Sequence, residues 1–553
     1  MGFLFCLAKP LSQACACSLF VSELGFSCFR GSMGLQQDSL SCRKGCKNDA
    51  YLCFSHSKKI LEKHILSKST FIRGLQCRKS LFLYKNYIHL RDPLSTEQKA
   101  LFNRGSNVGL LARDLYPGGT DASPAHPKRF SESVEKTRSL IEAGVEVIYE
   151  AAFQYDRVLV ALDILVKKQG KWHAYEVKSS SRVSATYILD ASLQYYVIKN
   201  AGIVLEDFSI VHLNTNYSRQ GKLELHKLFS TVSVMKEAEK NMGMVQEKIA
   251  SEKETLELPQ VPDVAIGEHC FSPYHCDFMG QCWTNVPKDS VFNLSGLPKS
   301  DLFSMYNSGV KRISEIKSEN TLSQDVKRQI EALTKNEAII NRKGIADFLA
   351  SLQYPLFFLD FETTMPAIPL YENTKPYEHL PFQYSLHYKK APGAELQHFE
   401  FLAETHEDPR KAFLASLLEH TKRPGDILVY YATFERSVFN SLKKEFPEFG
   451  KEIDLRLARI RDLIVPFRDK LYYHPAMKGS SSIKNVLPAL VPGFSYDSLV
   501  IGNGNVAMTV YEQLRTETDI FLQQEKRENL LAYCEMDTLA MVKILEVLEK
   551  SAL

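Results

Sequence analysis

Residues 157–178 constrain the fold more tightly than any other stretch. Arg157–Val166 is a mostly apolar, β-prone run with Asp163 near its end. Lys168–Lys171, which contains Gly170, interrupts it, and Trp172–Val177 resumes the strand pattern. Run, turn and run read as a β-hairpin. Glu176 and Lys178 are two apart and share a face of the second strand, and the hairpin carries Asp163 toward them. Two adjoining carboxylates repel each other. A divalent cation such as Mg²⁺ or Mn²⁺, held by oxygen ligands, removes the repulsion and can activate water. A solvent-facing hairpin with ordinary surface charges is the other reading. A helix over Ala185–Lys199 follows, with Gln194 inside it.

Asp163, Glu176-Val177-Lys178 and the downstream Gln194 together resemble the PD-(D/E)XK nuclease core, in its RecB-like branch. Glu150 resembles the further upstream acid of that branch, and the helix with Gly105 and Gly109 resembles its first helical motif. Val108-Gly109 stands where many members carry a metal-binding His. The resemblance covers about residues 68–285. It implies a restriction-endonuclease-like mixed sheet with helices. Asp163, Glu176, Lys178 and Gln194 would be catalytic, and Glu150, Asp163 and Glu176 would be metal ligands.

The 553 residues suffice for two or three domains, and a net charge of +3 neither demands nor excludes a nucleic-acid partner. No apolar run is long enough to span a bilayer. Of the twelve cysteines, seven precede residue 54, in a segment of little periodicity. Residues 1–65 are expected to form a poorly ordered leader, within which Cys42, Cys46 and Cys53 are a conceivable zinc site.

Cys270, Cys276 and Cys282 are a different matter. Five residues separate each neighbouring pair, in a turn-rich segment with Pro273 and Gly280. Cys77, His269 and His275 are candidate fourth ligands. Free cysteines, Zn²⁺ and an iron–sulfur cluster all remain compatible with these residue types. RecB-like nucleases of the AddB type and the CRISPR-associated adaptation nucleases tie their ends with one early and three late cysteines around a [4Fe-4S] cluster. Cys77 with Cys270, Cys276 and Cys282 resembles that set, although the family spacing is two residues and then five. Such ligands imply a reducing, cytoplasmic compartment. Residues 291–350 read as a helical linker module.

The C-terminal part, 351–553, has its own acids. Pro355–Phe361 is a strongly apolar strand that ends in Asp360-Phe-Glu362. Asp426–Tyr431 is a buried strand type that leads into Glu435. The tail helix carries Tyr533 and Asp537 four apart, on one face. Asp360, Glu362, Glu435, Tyr533 and Asp537 resemble, in order, the three motifs of the tyrosine-type DEDD exonucleases, with Glu435 where Asp is usual. The resemblance implies a ribonuclease H-like α/β domain. It also implies two-metal hydrolysis with Asp360, Glu362, Glu435 and Asp537 as ligands and Tyr533 orienting water. Asp462, within a helical segment, is expected either as an added ligand or as a residue behind the ligands. Lys484, after a Gly/Ser turn, is a candidate phosphate contact at a helix N-terminus.

These resemblances imply a metal-dependent nuclease acting on nucleic acid, with single-stranded or end-containing DNA as the favoured partner. The alternative is a binding protein in which one or both nuclease-like domains are inactive. The basic helix around Arg73, Arg78 and Lys79, with Phe82, Tyr84 and Tyr87, could guide a strand or belong to the core.

Overall fold

The apolar runs become two mixed β-sheets, each covered by helices, in an α/β architecture. The computed structural model describes residues 63–126, 129–317 and 322–553. The expected leader, up to residue 62, and Cys42, Cys46 and Cys53 within it lie outside the described residues. Leu61–Leu553 forms a single unit.

The first sheet contains β1 (Leu66–Ser67), β2 (Thr120–Asp121), β3 (Val147–Tyr155), β4 (Val158–Lys168), β5 (Lys171–Lys178), β6 (Leu205–Leu213) and β7 (Phe229–Ser233). They lie in the order β2-β3-β4-β5-β6-β7, with β1 beside β4. Two tight hairpins set its register. Tyr155 pairs with Val158 around Asp156 and Arg157, and Lys168 pairs with Lys171 around Gln169 and Gly170. All four loop residues have positive φ, the backbone of the two-residue turns that match strand twist. The helix Ala185–Asn200 then crosses over so that β6 lies parallel to β5. Asp190–Ile198 is buried without a break.

A two-stranded ribbon follows, β8 (Ile339–Ile340) against β14 (Tyr472–Tyr473). The second sheet contains β9 (Leu356–Thr364), β10 (Leu380–Lys389), β11 (Leu396–Leu402), β12 (Ile427–Val429) and β13 (Ile460–Asp462), in the order β11-β10-β9-β12-β13. β9, β10 and β11 are antiparallel, and β12 and β13 run parallel to β9. The final helix, Ile520–Ala552, packs across β9 and β10 and buries Leu530, Ala540, Met541, Ile544, Leu545 and Leu548.

Two expected elements differ. The basic helix expected around Arg73, Arg78 and Lys79 is two helices, Lys68–Gln76 and Arg78–Asn86, parted by Cys77 in extended conformation. Asp462 ends a strand rather than sitting in a helix, because Ile460 and its neighbours fill the sheet edge beside β12.

The loop between β9 and β10 reaches the first sheet. Ala367, Ile368 and Tyr377 pack in one apolar cluster with Val108, Tyr149 and Tyr175. The Tyr377 hydroxyl donates to the carbonyl of Ser179 at 2.7 Å. The Arg219 guanidinium donates to the carbonyls of Pro369 and Leu370 at 3.1 and 2.7 Å.

Candidate functional site

The first centre forms where β4 and β5 part. Their register runs from Lys168–Lys171 to Ile164–Tyr175 and stops. One step further, the Asp163 carboxylate takes the backbone N–H of Val177 at 2.6 Å, so a side chain replaces the ladder. On the other side, Glu150 interrupts the β3–β4 register with φ +52°. Strain of this kind is tolerated where the surroundings over-determine it. Glu150 accepts from Arg113 at 3.1 Å.

Glu176 Oε1 accepts from both Lys178 (2.8 Å) and Lys68 (2.9 Å), and Lys178 also donates to Asp190 at 2.5 Å. Burial alone would raise the Glu176 carboxyl. The ammonium groups of Lys178 and Lys68 overcome it and hold the group at about 2. Burial, and then the Glu176 charge, push Asp163 up to about 7. Asp163, Glu176 and Lys178 thus come together, with Glu150 nearby. Gln194 makes no hydrogen bond to them. Its amide is buried with no partner for either polar atom, one turn beyond Asp190 on the same face. Glu176 Oε2 and Asp190 Oδ1 are also buried without partners. Orphaned acceptors of this kind are costly, and they fit a site that takes a cation. Sequence reasoning missed Lys68, whose contact with Glu176 spans 108 residues, and Asp190.

The second centre is denser in charge. Asp360, Glu362, Glu435, Tyr533, Asp537 and Lys484 line one pocket. One carboxylate oxygen each from Asp360, Glu362 and Asp537 lies within 4.8 Å of the others. Burial, then neighbouring carboxylates, push Asp360 well above its ordinary range and Glu362 up to about 8. Burial and Asp462 do the same to Glu435, also to about 8. Asp537 is raised to about 6 by burial, against hydrogen bonds from Tyr496 and Tyr533. Glu435 Oε2 has no partner. A set of acids this close fits divalent cations. Lys484 donates to the Tyr533 hydroxyl at 3.2 Å and to the Gly502 carbonyl at 2.6 Å. At the rim, a Cβ on Gly504 would lie 3.1 Å from Glu362 Oε2, so a larger residue there would press on that carboxylate.

Asp462 is a correction. It does not line the pocket. Its two oxygens accept from the backbone N–H groups of Tyr431 (2.9 Å), Ala432 (3.1 Å) and Ile464 (3.2 Å), which leaves it little capacity for a metal. It positions the turn before the helix Thr433–Glu445, where Tyr431 has φ +78° and stands 60 % exposed at the pocket edge. Sequence reasoning missed Tyr431, because only the positive φ sets its ring at the rim.

A second group of possible metal ligands combines His387, His398 and Glu535.

Cys77, Cys270, Cys276 and Cys282 are all free thiols that line another pocket, with His269. Burial raises Cys77, and the neighbouring Cys276 and Cys270 raise it further. Cys282 is raised by burial and then by Cys276, Cys77 and Cys270. The late segment is tied to the early one by Asp277, which accepts from Arg73 and from Arg91, and by Gln76, which donates to the carbonyls of His269 (2.7 Å) and Tyr274 (2.6 Å). Arg73 is therefore committed to Asp277 rather than to a strand, and Phe82 belongs to the core.

The crowded acids set a pH dependence. A carboxyl raised in the folded state keeps its proton longer there than in the unfolded chain. Its contribution to stability therefore falls as pH climbs from about 4 toward its folded pKa. Between pH 6.5 and 8.5, Glu362 and Glu435 lose their protons in the absence of metal. The melting temperature of the metal-free protein is expected to drop across this window. Mn²⁺ should raise it more at pH 8.5 than at pH 6.5. Glu252, raised to about 9 by burial, adds a slope of the same sign that Mn²⁺ does not remove. Thermal melts with and without Mn²⁺ check this, and an equal Mn²⁺ effect at both pH values would contradict it.

The model of a family described as "Domain of unknown function (DUF2779)" matches residues 357–482. That stretch holds Asp360, Glu362, Glu435 and Asp462 and ends before Tyr533 and Asp537. "Uncharacterized protein UU173" from Ureaplasma parvum serovar 3 is 27% identical over 237 aligned positions, in a match that covers 38% of this chain and 34% of the relative. The chain thus spans about a third of the length of the curated relative it matches. Among the described residues, no helix is long and apolar enough to cross a membrane.

Proposed function

We propose that the chain is a metal-dependent nuclease with two hydrolytic centres, a RecB-like one built on the first sheet and a DEDD-type, ribonuclease H-like one built on the second. The observation that carries this reading is the pocket shared by Asp360, Glu362, Glu435 and Asp537, whose buried carboxyl groups are all raised. Without counter-charge, such a group is costly to maintain. Bound there, Mg²⁺ or Mn²⁺ supplies charge neutralisation and Lewis acidity toward water and the leaving oxygen.

The chain's own residues do the rest. Asp360, Glu362, Glu435 and Asp537 hold the cations. Tyr533, its hydroxyl fixed by Lys484, orients the attacking water. Tyr431 offers an exposed ring at the rim on which a base can stack. In the first centre Asp163 and Glu176 are the ligands, with Glu150 beside them, and Lys178 faces the scissile phosphate. DNA with single-stranded or free ends is the favoured substrate, in processing or repair.

One observation favours a second reading for the first centre. Glu176 Oε1 already has two ammonium partners that compete with a cation for it, and without a cation the domain would bind nucleic acid and not cut it. The test is digestion of end-labelled DNA and RNA with Mn²⁺ by the full chain beside Asp163→Asn and Asp360→Asn. If neither substitution lowers a measured activity, both assignments fall. If only Asp360→Asn lowers it, the first centre is a binding platform.

The four cysteines are assigned to a [4Fe-4S] cluster. Cys77, Cys270, Cys276 and Cys282 line one pocket, and four thiols converging there fit the four-cysteine ligand set of such a cluster. The cluster would join Cys77 to the segment around residue 276 and hold the domain's two ends. Anaerobically purified protein is expected to contain four irons per chain, the content that follows from [4Fe-4S]. Cys276→Ser should lose them, and zinc in their place would refute the assignment.

A further inference from the structure

We propose that His387, His398 and Glu535 form a zinc site that clamps the final helix to the edge of the second sheet, separate from the acid pocket. One ring nitrogen of each histidine and a carboxylate oxygen of Glu535 lie within 4.8 Å of one another. None of the three lines the acid pocket.

The register creates the pair. β10 and β11 are antiparallel, and His387 lies directly opposite His398, with the ring centroids 4.5 Å apart. Glu535 comes from the helix Ile520–Ala552, which packs across this pair of strands.

Proton counting shows which nitrogens are free for metal. The Thr538 hydroxyl reaches the Glu535 carbonyl at 3.0 Å. A carbonyl only accepts, so this bond commits the Thr538 proton. Thr538 Oγ1 must then accept from Ser385 Oγ at 2.7 Å and from His387 Nδ1 at 2.8 Å. With the Ser385 proton spent on Thr538, Ser385 must accept from His398 Nε2 at 2.9 Å. His387 is thereby protonated at Nδ1 and His398 at Nε2. Each ring is left with one bare nitrogen lone pair, Nε2 of His387 and Nδ1 of His398, and the latter faces Glu535 Oε1 at 4.0 Å. A zinc-bound imidazole has this wiring: one nitrogen on the metal, and the other donating to a fixed acceptor.

Two neutral imidazoles and a carboxylate suit Zn²⁺ among the common divalent ions. Ligand atoms around a tetrahedral zinc stand roughly 3.3 Å apart, given bonds of about 2.0–2.1 Å. The Glu535 side chain, 47 % exposed, has room to swing toward the two histidines, and water on that side can supply a fourth ligand.

The site also touches the proposed nuclease machinery. Ser385 is the cross-strand partner of Asp360, and Thr538 follows Asp537 in the chain. The hydroxyls that wire the histidines are therefore the immediate neighbours of two acids in the pocket. Zinc here would fix the helix that carries Tyr533 and Asp537. The metal site itself does not depend on the nuclease reading.

The test is cobalt substitution in the full chain. Chelator-treated wild type, His398→Gln and Glu535→Gln are titrated with Co²⁺, and bound equivalents and visible spectra are recorded. Both substituted positions are partly exposed, so the variants should fold. Wild type is expected to bind one Co²⁺ more than either variant. That equivalent should show d–d bands without thiolate charge transfer, which sets it apart from metal on the cysteines. It should survive Asp360→Asn, which sets it apart from metal on the acids and from failure of the nuclease reading. Equal Co²⁺ uptake and identical spectra in wild type and both variants would overturn the proposal.

Discussion

Asp360→Asn is expected to lower Mn²⁺-dependent hydrolysis at the second centre by roughly 10³-fold or more, the scale of losing a group that organises charge at a reacting phosphate. Burial, and then its neighbours Asp537, Glu362 and Glu435, push Asp360 well above its ordinary range. The same substitution should therefore raise the melting temperature of the metal-free protein at pH 8.5, because a buried carboxyl whose ionisation folding opposes is replaced by a neutral amide. Few inactivating changes stabilise. The pair of outcomes distinguishes a metal ligand from a residue needed for folding, whose loss would lower both quantities. Initial rates on end-labelled substrate and thermal melts in chelator measure the two. A melting temperature that falls while activity persists would contradict the role given to Asp360.

Glu176→Gln is expected to cost about 3–5 kcal/mol of stability, the range for removing one partner of a buried ion pair. Glu176 is 2 % exposed and accepts from two ammonium groups. Lys178 keeps Asp190 after the change, but the hydrogen-bond partner of Lys68 becomes a neutral amide. Lys68→Met added to Glu176→Gln should recover much of the loss, which a single structural defect at Glu176 would not allow. Urea unfolding of the two variants decides it. An unchanged midpoint for Glu176→Gln would contradict the network.

Asp163, Glu176, Asp360 and Glu362 were legible because each lies on an apolar strand, where a charge needs a reason. Asp163 and Glu176 could be placed from the hairpin alone, and Asp360 and Glu362 from a D-x-E after Leu356–Leu359. Lys68 was not legible. Its contact with Glu176 is made by the folded sheet and has no local pattern. The cysteine set could be proposed from spacing and resemblance, but the break at Cys77 was hidden by residues that favour helix on both sides. His387 and His398 lie on either side of Gly393, in two runs that become β10 and β11. In an antiparallel pair the two residue numbers of every facing pair add to a constant, so the turn near Gly393 already set them opposite each other. Asp462 was misplaced because its short run carries no strand signal of its own, and an acid looks the same in sequence whether it holds a cation or three backbone N–H groups.

The loop between β9 and β10 makes the two halves hard to study apart. A fragment beginning near residue 351 would leave Ala367, Ile368 and Tyr377 facing water, and a fragment ending there would bare Val108, Tyr149 and Tyr175. Ser179, next to Lys178, would also lose the Tyr377 hydroxyl that now holds its carbonyl. Separately expressed halves would thus carry sticky surfaces and an altered strand end beside a candidate catalytic lysine. Point substitutions in the intact chain are the sounder way to assign work to each centre.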